Sequence, residues 1–404
     1  MKKATTTLFA QLVGMMPRSI LEGIAAQFYK PGNASKFTVW DQLVALVFCH
    51  IGGCDSLREI EDGLYSALRS LNHAGGAQAL KRTSLAYANA RRDYRIFEQF
   101  YFKLLEHYAD LFNLRFSSKY DKPVYAIDST TITLCMKLFP WAKYTSTKGG
   151  IKLHTALDLQ LALPVVMNMT NAKVHDSKAT REIIDSLPPF SVVVMDRGYN
   201  DYSLFHELNL RGTTFVTRIK DNAKISKLVP VKEQKDRWGV YRMEFVSERA
   251  KEVCGGEVFH LVQWYDEEND RWFDFLTNDL TLEAEEVAEL YRSRWEIELF
   301  FKKLKQNLLV KSFIGTNENA VMSQIWTATI VTCVPSIRIP HFRQQKGPLG
   351  WGFLTLLKMG GAEAPGLIFL GEGRSPSPSR FRAAASRPNR PVGASRRYAC
   401  AVQR

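Results

Sequence analysis

The spacing of apolar and polar positions changes three times along the chain. Up to about residue 117 it is helical. "TVWDQLVALVFCH" (38–50) is a compact apolar helix with Thr38 and Asp41 placed as its cap. "SLREIEDGLYSALRSL" opens with Ser56 and Glu59 in capping-box spacing. "KRTSLAYANARRDYRIFEQFYFKLLEHY" (81–108) predicts one long helix, capped by Thr83 or Ser84. Two helices across a glycine turn, then a third carrying Lys81, Arg82, Arg91, Arg92 and Arg95, fit a helix-turn-helix DNA reader. They fit equally an all-helical packing domain with a basic outer face.

From about 118 the period shortens to two. "PVYAIDSTTITL", "GGIKLHTALDLQ" and "LPVVMNMTNAKV" predict three strands, neighbours in antiparallel pairing. "DSKATREIIDSL" is a short helix, and "FSVVVMDRGY" an unbroken apolar run of the kind buried on both faces of a sheet. "SLFHELNLRG" and "TTFVTRI" add a helix and a strand. Four alternating segments between about 221 and 278 predict an inserted β subdomain. "TLEAEEVAELYRSRWEIELFFKKLKQNL" then predicts one long helix. The fold class is α/β, with a mixed central sheet behind an all-α N-terminal domain.

After about 334 the periodicity stops. Residues 335–404 hold 8 of the 16 prolines and show neither helical nor strand spacing, which predicts disorder. The domains expected are therefore 1–117, 118–334 and a low-complexity tail at 335–404.

Charge changes the picture less than its total suggests. The net charge is +13, but the tail alone carries +10 of it. Basicity is then weak evidence about the body of the protein. No run of about 18 apolar residues predicts a membrane span. The opening "MKKATTTLFAQLVGMMP" is interrupted by Gln11 and Gly14, unlike a signal peptide. The six cysteines are scattered, and Cys49, His50 and Cys54 lack a second ligand pair at zinc spacing. A reduced, cytoplasmic protein without a membrane partner is expected.

The predicted helix at 291–306 carries the first chemical question. With Glu298 at zero and about 100° per residue, Tyr291, Arg294, Lys302 and Lys305 all fall within about 40° of it. Ile297, Phe301, Leu304 and Leu308 form the apolar stripe on one flank. Arg292, Glu296, Lys303 and Asn307 are expected on the solvated side. An Arg294–Glu298–Lys302 ion-pair ladder accounts for the pattern in isolation. Two aspartates argue for more. Asp128 lies in the first strand of the α/β domain and Asp196 ends its most apolar strand. Strand ends of open α/β sheets collect sites. Three converging carboxylates need a cation, and hard oxygen donors select Mg2+ or Mn2+. Two such ions support phosphodiester cleavage.

With these residues in place, the chain resembles the "IS-four" family of bacterial insertion-sequence transposases. Tyr291, Arg294, Glu298 and Lys305 stand at the spacing of that family's Tyr-Arg-Glu-Lys signature. "AIDST" at Asp128 and "MDRGY" at Asp196 resemble its two aspartate motifs. The resemblance covers roughly residues 5–332, and the helical N-terminus resembles that of one branch. It implies an RNase H-like catalytic core with a β insertion, using Asp128, Asp196 and Glu298 as catalytic metal ligands for Mg2+, with Mn2+ as substitute. It implies cut-and-paste DNA transposition: recognition of terminal inverted repeats, cleavage, a hairpin intermediate and joining to double-stranded target DNA, by a homodimer on DNA associated with the nucleoid.

Tyr291, Arg294, Lys302 and Lys305 would then contact DNA, with Arg197, Arg91 and Arg92 as further contacts. Trp272 is the candidate for stacking on a flipped base, with Trp264 as its rival. Trp295 is expected to pack. His154 and His175 read as sheet or loop histidines, and Asp158 and Asp176 as turn and cap acids. The tail departs from the family, whose members continue with helix-forming sequence, so a frameshift or junction near 334 is expected. Two other readings stay open: an inactive copy that only binds DNA, and an RNase H-like nuclease without strand transfer.

Overall fold

The computed structural model describes residues 8–28, 36–66, 80–109, 122–143, 145, 149–172, 176–234, 237–308 and 313–338. His175 and all but four residues of the tail lie outside them.

The helical region comprises α1 (Leu8–Gly14), α2 (Arg18–Phe28), α3 (Val39–Gly52), α4 (Leu57–Ser66), α5 (Arg82–Arg91) and α6 (Arg95–His107). Thr38 and Asp41 form a complete capping box at the start of α3. Gly53 ends that helix at φ +66°, a conformation that glycine adopts without a Cβ clash. At α4, Ser56 accepts from Glu59 N–H at 3.2 Å, but the Glu59 carboxylate reaches Asp55 N–H rather than Ser56. The long helix expected from 81 to 108 is two helices. α5 ends at Arg91 and α6 restarts at Arg95, and neither Thr83 nor Ser84 caps the first.

The sheet has nine strands in the order β3-β2-β1-β4-β5-β9-β8-β7-β6. β1 (Val124–Leu134), β2 (Gly149–Asp158) and β3 (Leu163–Asn171) pair antiparallel, as expected. β4 (Val192–Met195) and β5 (Thr214–Arg218) run parallel to β1. The crossovers carry α7 (Asp176–Ser186) and α8 (Tyr202–Leu210). This antiparallel trio, followed by two strands parallel to β1, agrees with an RNase H-like core. The inserted strands are hydrogen-bonded into the main sheet. β6 (Ile225–Gln234), β7 (Trp238–Phe245), β8 (Phe259–Asp266) and β9 (Arg271–Thr277) continue the same sheet, with β9 antiparallel to β5. A short helix, α9 (Glu248–Val253), interrupts them.

After the sheet come α10 (Ala284–Ser293), α11 (Trp295–Asn307) and α12 (Glu318–Arg338). The last was not expected, yet Ala320–Pro335 is buried throughout. It runs through Pro335, four residues past the expected boundary at 334. Trp326 is fully buried, its ring 5.9 Å from Tyr101 and 5.6 Å from Phe102. α12 packs against α3, α5 and α6 as well as α11. One hydrophobic core therefore spans Leu21, Leu43, Phe97, Leu153, Leu304 and Trp326. The helical region and the sheet share that core, so they are not two independent globules. Among the described residues no helix is long and apolar enough to cross a membrane.

Candidate active site

The parallel pairing of β1 with β4 brings the two aspartates together. Ile127 pairs with Met195, so Asp128 and Asp196 follow side by side at the same end of the sheet. β1 is buried from Val124 to Ile127 and emerges from the core at Asp128. β4 is buried throughout, and its chain turns at Asp196 into a short 3-10 turn, Arg197–Tyr199. That turn is pinned to the end of β5. Asn200 Nδ2 donates to Thr217 Oγ1 at 3.1 Å, and Asn200 Oδ1 accepts from Lys220 N–H at 3.2 Å.

Glu298 comes from α11, which packs on β1. Ile297, Phe301, Leu304 and Leu308 are buried as the stripe requires. Phe300 and Asn307, on the side facing away from Glu298, are buried too. Asn307 was expected in solvent; instead its side chain donates to Thr332 Oγ1 at 2.9 Å. The cause is α12, which covers that side. The single helix expected over 281–308 is interrupted at Arg294. There Arg294 N–H reaches Tyr291 O and Ile297 N–H reaches Arg294 O, tightening the turn to i−3 spacing.

Arg294 occupies the middle of the site. Its Nη2 donates to Glu298 Oε1 at 2.6 Å and its Nη1 lies 3.4 Å from Asp128 Oδ2. Its guanidinium carbon sits 5.7 Å from the centre of the Tyr291 ring. Tyr291 OH reaches Asp196 Oδ1 at 3.4 Å, and Tyr199 OH reaches Asp128 Oδ1 at 3.5 Å, both at the outer limit of hydrogen bonding. Burial pushes the Asp128 carboxyl up to about 6; Ser129 N–H and Arg294 oppose the rise, while Asp196 and Glu298 add to it. Both other acids thus bear on Asp128.

Asp128, Asp196 and Glu298 supply the hard oxygen donors that a divalent ion prefers, and their mutual repulsion is what such an ion relieves. The donor set fits Mg2+ or Mn2+. The spacing is not preformed: among the described residues no group of three or more His, Cys, Asp or Glu side chains could hold a metal ion as it stands.

The other candidates divide. Lys302 is exposed and Lys305 half-buried on the same helix, and burial lowers the Lys305 pKa. Arg197 is exposed beside the site and pairs with Asp221 at 3.0 Å. Trp272 is half exposed at the start of β9, its ring 5.4 Å from Tyr265. Trp264 is partly buried against the core under α10. Trp295, expected to pack, is 57% exposed beside Arg294. Arg91 is exposed, with its guanidinium over Tyr87. Arg92 corrects its expected role. It donates to Thr38 O at 2.7 Å, to Gln42 Oε1 at 3.2 Å and to Phe37 O, so its donors hold α5 to α3 rather than face DNA. His154 is a buried sheet histidine 2.9 Å from Thr170 Oγ1, and Asp158 accepts the turn amides of Gln160 and Leu161. Tyr199 and Asn200 escaped the sequence reading. Their signal was adjacency to Asp196, which alone does not say where a side chain reaches.

Residues 119–334, just over half of the chain, match the family model of the transposase DDE domain. The chain belongs to that family. Residues 4–77 of this transposase-family chain match a domain of unknown function, DUF4372. A transposase candidate for insertion sequence element IS5377 of Geobacillus stearothermophilus is 30% identical over 216 residues, 54% of this chain and 56% of the relative. The y4zB transposase candidate of Sinorhizobium fredii is 32% identical over 267 residues, 61% of this chain and 68% of the relative. The IS4SA transposase candidate of Synechocystis is 26% identical, covering 68% of this chain and 76% of the relative. The chain thus spans about half to three quarters of these relatives' lengths. A piggyBac transposase in a synaptic complex with hairpin DNA overlaps 87% of this chain and 77% of its own at 12% identity, with a TM-score of 0.44.

Proposed function

We propose that the chain is a DNA transposase of the IS-four type, cutting at the terminal inverted repeats of an insertion sequence and joining the ends to target DNA. The observation that carries this is Arg294 bridging Asp128 and Glu298, with Asp196 next to Asp128 on the neighbouring strand. The three acids come from β1, the end of β4 and α11, which are distant in sequence. Asp128, Asp196 and Glu298 would hold Mg2+ or Mn2+. The bound ions would activate a water or hydroxyl nucleophile and stabilise the leaving oxygen.

The chain's own residues do the positioning. Tyr291 and Tyr199 orient the Asp196 and Asp128 carboxylates through their hydroxyls. Arg294 offers a planar fork that fits a phosphate as well as a carboxylate. Lys305 lies two helical turns beyond Glu298 on the same face, about 10 Å along the axis. With Lys302 and Arg197 it would hold the backbone on either side of the cleaved bond. Trp272, half exposed at the β9 end nearest β5's carboxyl end, would stack on an unpaired base of the hairpin. The outer face of α5, with Arg91, would contact DNA away from the chemistry. A homodimer would bring two element ends together.

The test is cleavage of labelled double-stranded DNA spanning the flanks of its own gene, with Mg2+ or Mn2+. Wild type should cut at a repeat boundary and join the ends to a target, whereas Asp196→Asn and Glu298→Gln should do neither. Cutting without joining would assign a nuclease. Specific binding without cutting by any form would leave a DNA-binding protein.

A further inference from the structure

We infer that Arg294 is an internal counter-cation competing with the divalent ion, so that metal binding requires DNA to draw this arginine away. The inference rests on the proposed transposase reading of the site and adds a gate to it. Arg294 is 13% exposed and bridges Asp128 and Glu298. It also lies against the ring of Tyr291, whose hydroxyl reaches the third acid. One fixed positive charge therefore contacts two of three carboxylates and the partner of the other. Burial disfavours its charge most strongly of any single cause, but the bond to Glu298 together with the attraction of Tyr291, Glu298 and Asp128 overcomes it and raises the Arg294 pKa, so the guanidinium does not lose its proton.

The seat is an imperfect one. Arg294 Nε is buried with no hydrogen-bond partner, and the contact to Asp128 is long. A guanidinium with an unused donor gains from a phosphate that satisfies the whole fork. Asp128 and Glu298, released from it, are then free to close on a metal. With Arg294 seated between them, the acids do not form a three-ligand group among the described residues. Linkage makes the effect reciprocal: whatever DNA does for metal affinity, metal does for DNA affinity.

The test is Mn2+ binding to the full chain, read by electron paramagnetic resonance or calorimetry, so no turnover is needed. Without DNA, Arg294→Gln should bind Mn2+ about tenfold or more tightly than wild type, because a neutral side chain neither repels the ion nor holds the acids. Arg294→Lys, which keeps the charge, should stay near wild type. Adding duplex DNA from the flank of its own gene should tighten Mn2+ binding to wild type and leave Arg294→Gln little changed. Equal affinity of wild type and Arg294→Gln without DNA overturns the gate, as does a DNA effect of equal size in both. A melt of each variant shows whether it is folded, and if Arg294→Gln is not, the gate stands or falls on whether DNA tightens Mn2+ binding to wild type. Asp128→Asn and Glu298→Gln separate the two failures. If they bind Mn2+ as wild type does, with DNA present, the carboxylate site itself is wrong.

Discussion

Protonating His50 should loosen the junction that holds Glu298's helix in place. His50 is buried on α3, with Nδ1 3.2 Å from Asn307 O and Nε2 3.0 Å from Thr327 Oγ1. One imidazole therefore ties the helical region to the last residue of α11 and to α12. Burial pushes its pKa down from 6.5 to about 4, against the smaller upward pull of hydrogen bonds at Asn307 and Gln324. The folded pKa lies below the unfolded one, so between about 4 and 6.5 the unfolded chain binds the extra proton. The stabilisation is complete above 6.5 and is lost as pH falls toward 4. The whole window is worth roughly 3 kcal/mol, and about 2 kcal/mol of it is gone at pH 5. Urea unfolding of wild type and His50→Gln at pH 7.5, 6 and 5 measures this. The variant starts less stable, so the informative quantity is its slope with pH. Wild type should lose about 2 kcal/mol more than the variant between pH 7.5 and 5. Parallel pH profiles would refute the argument.

Arg92→Ala should cost about 2–3 kcal/mol of stability by stranding the carbonyls of Phe37 and Thr38. Arg91→Ala should leave stability within about 0.5 kcal/mol and lower the salt dependence of DNA binding, measured by anisotropy across a salt series. Trp326→Ala should destabilise by about 3–5 kcal/mol and unfold the helical region and sheet in one transition, checked by circular dichroism and tryptophan emission together. Trp272→Ala should melt like wild type yet bind hairpin DNA about 1–3 kcal/mol more weakly than duplex-matched controls predict; an equal loss on both substrates would place Trp272 outside the base pocket.

Strands were legible because their signal is local. Alternation marks a half-buried strand, and the unbroken "SVVVM" run marks one covered on both faces, which β4 is. The two aspartates could be paired from sequence only in outline. Their adjacency depends on the register of Ile127 with Met195, which no local pattern encodes. The fusion of the inserted strands with the main sheet was hidden for the same reason: a strand's period says which face is buried, not which edge it joins. The helix at 318–338 was missed because it is buried on nearly every side, so its apolar residues show no stripe to count.

That missed helix also explains one of the two residues whose surroundings were misjudged. Asn307 was placed in solvent by a wheel calculated for an end helix with one partner; with α12 on its other side, the same position becomes a buried hydrogen-bonding site. Arg92 was assigned to DNA because it lies in a basic run, but charge counted along a sequence does not reveal where a guanidinium's donors go. Arg294 shows the converse. The wheel placed it beside Glu298 correctly, and an ion pair between them was the plain expectation. Only the third dimension adds Asp128 to the same guanidinium. A pair worth a few tenths of a kcal/mol on a solvated helix thereby becomes a shared cation between two half-buried acids. What looked like a surface ladder is a cation shared between a strand's acid and a helix's acid.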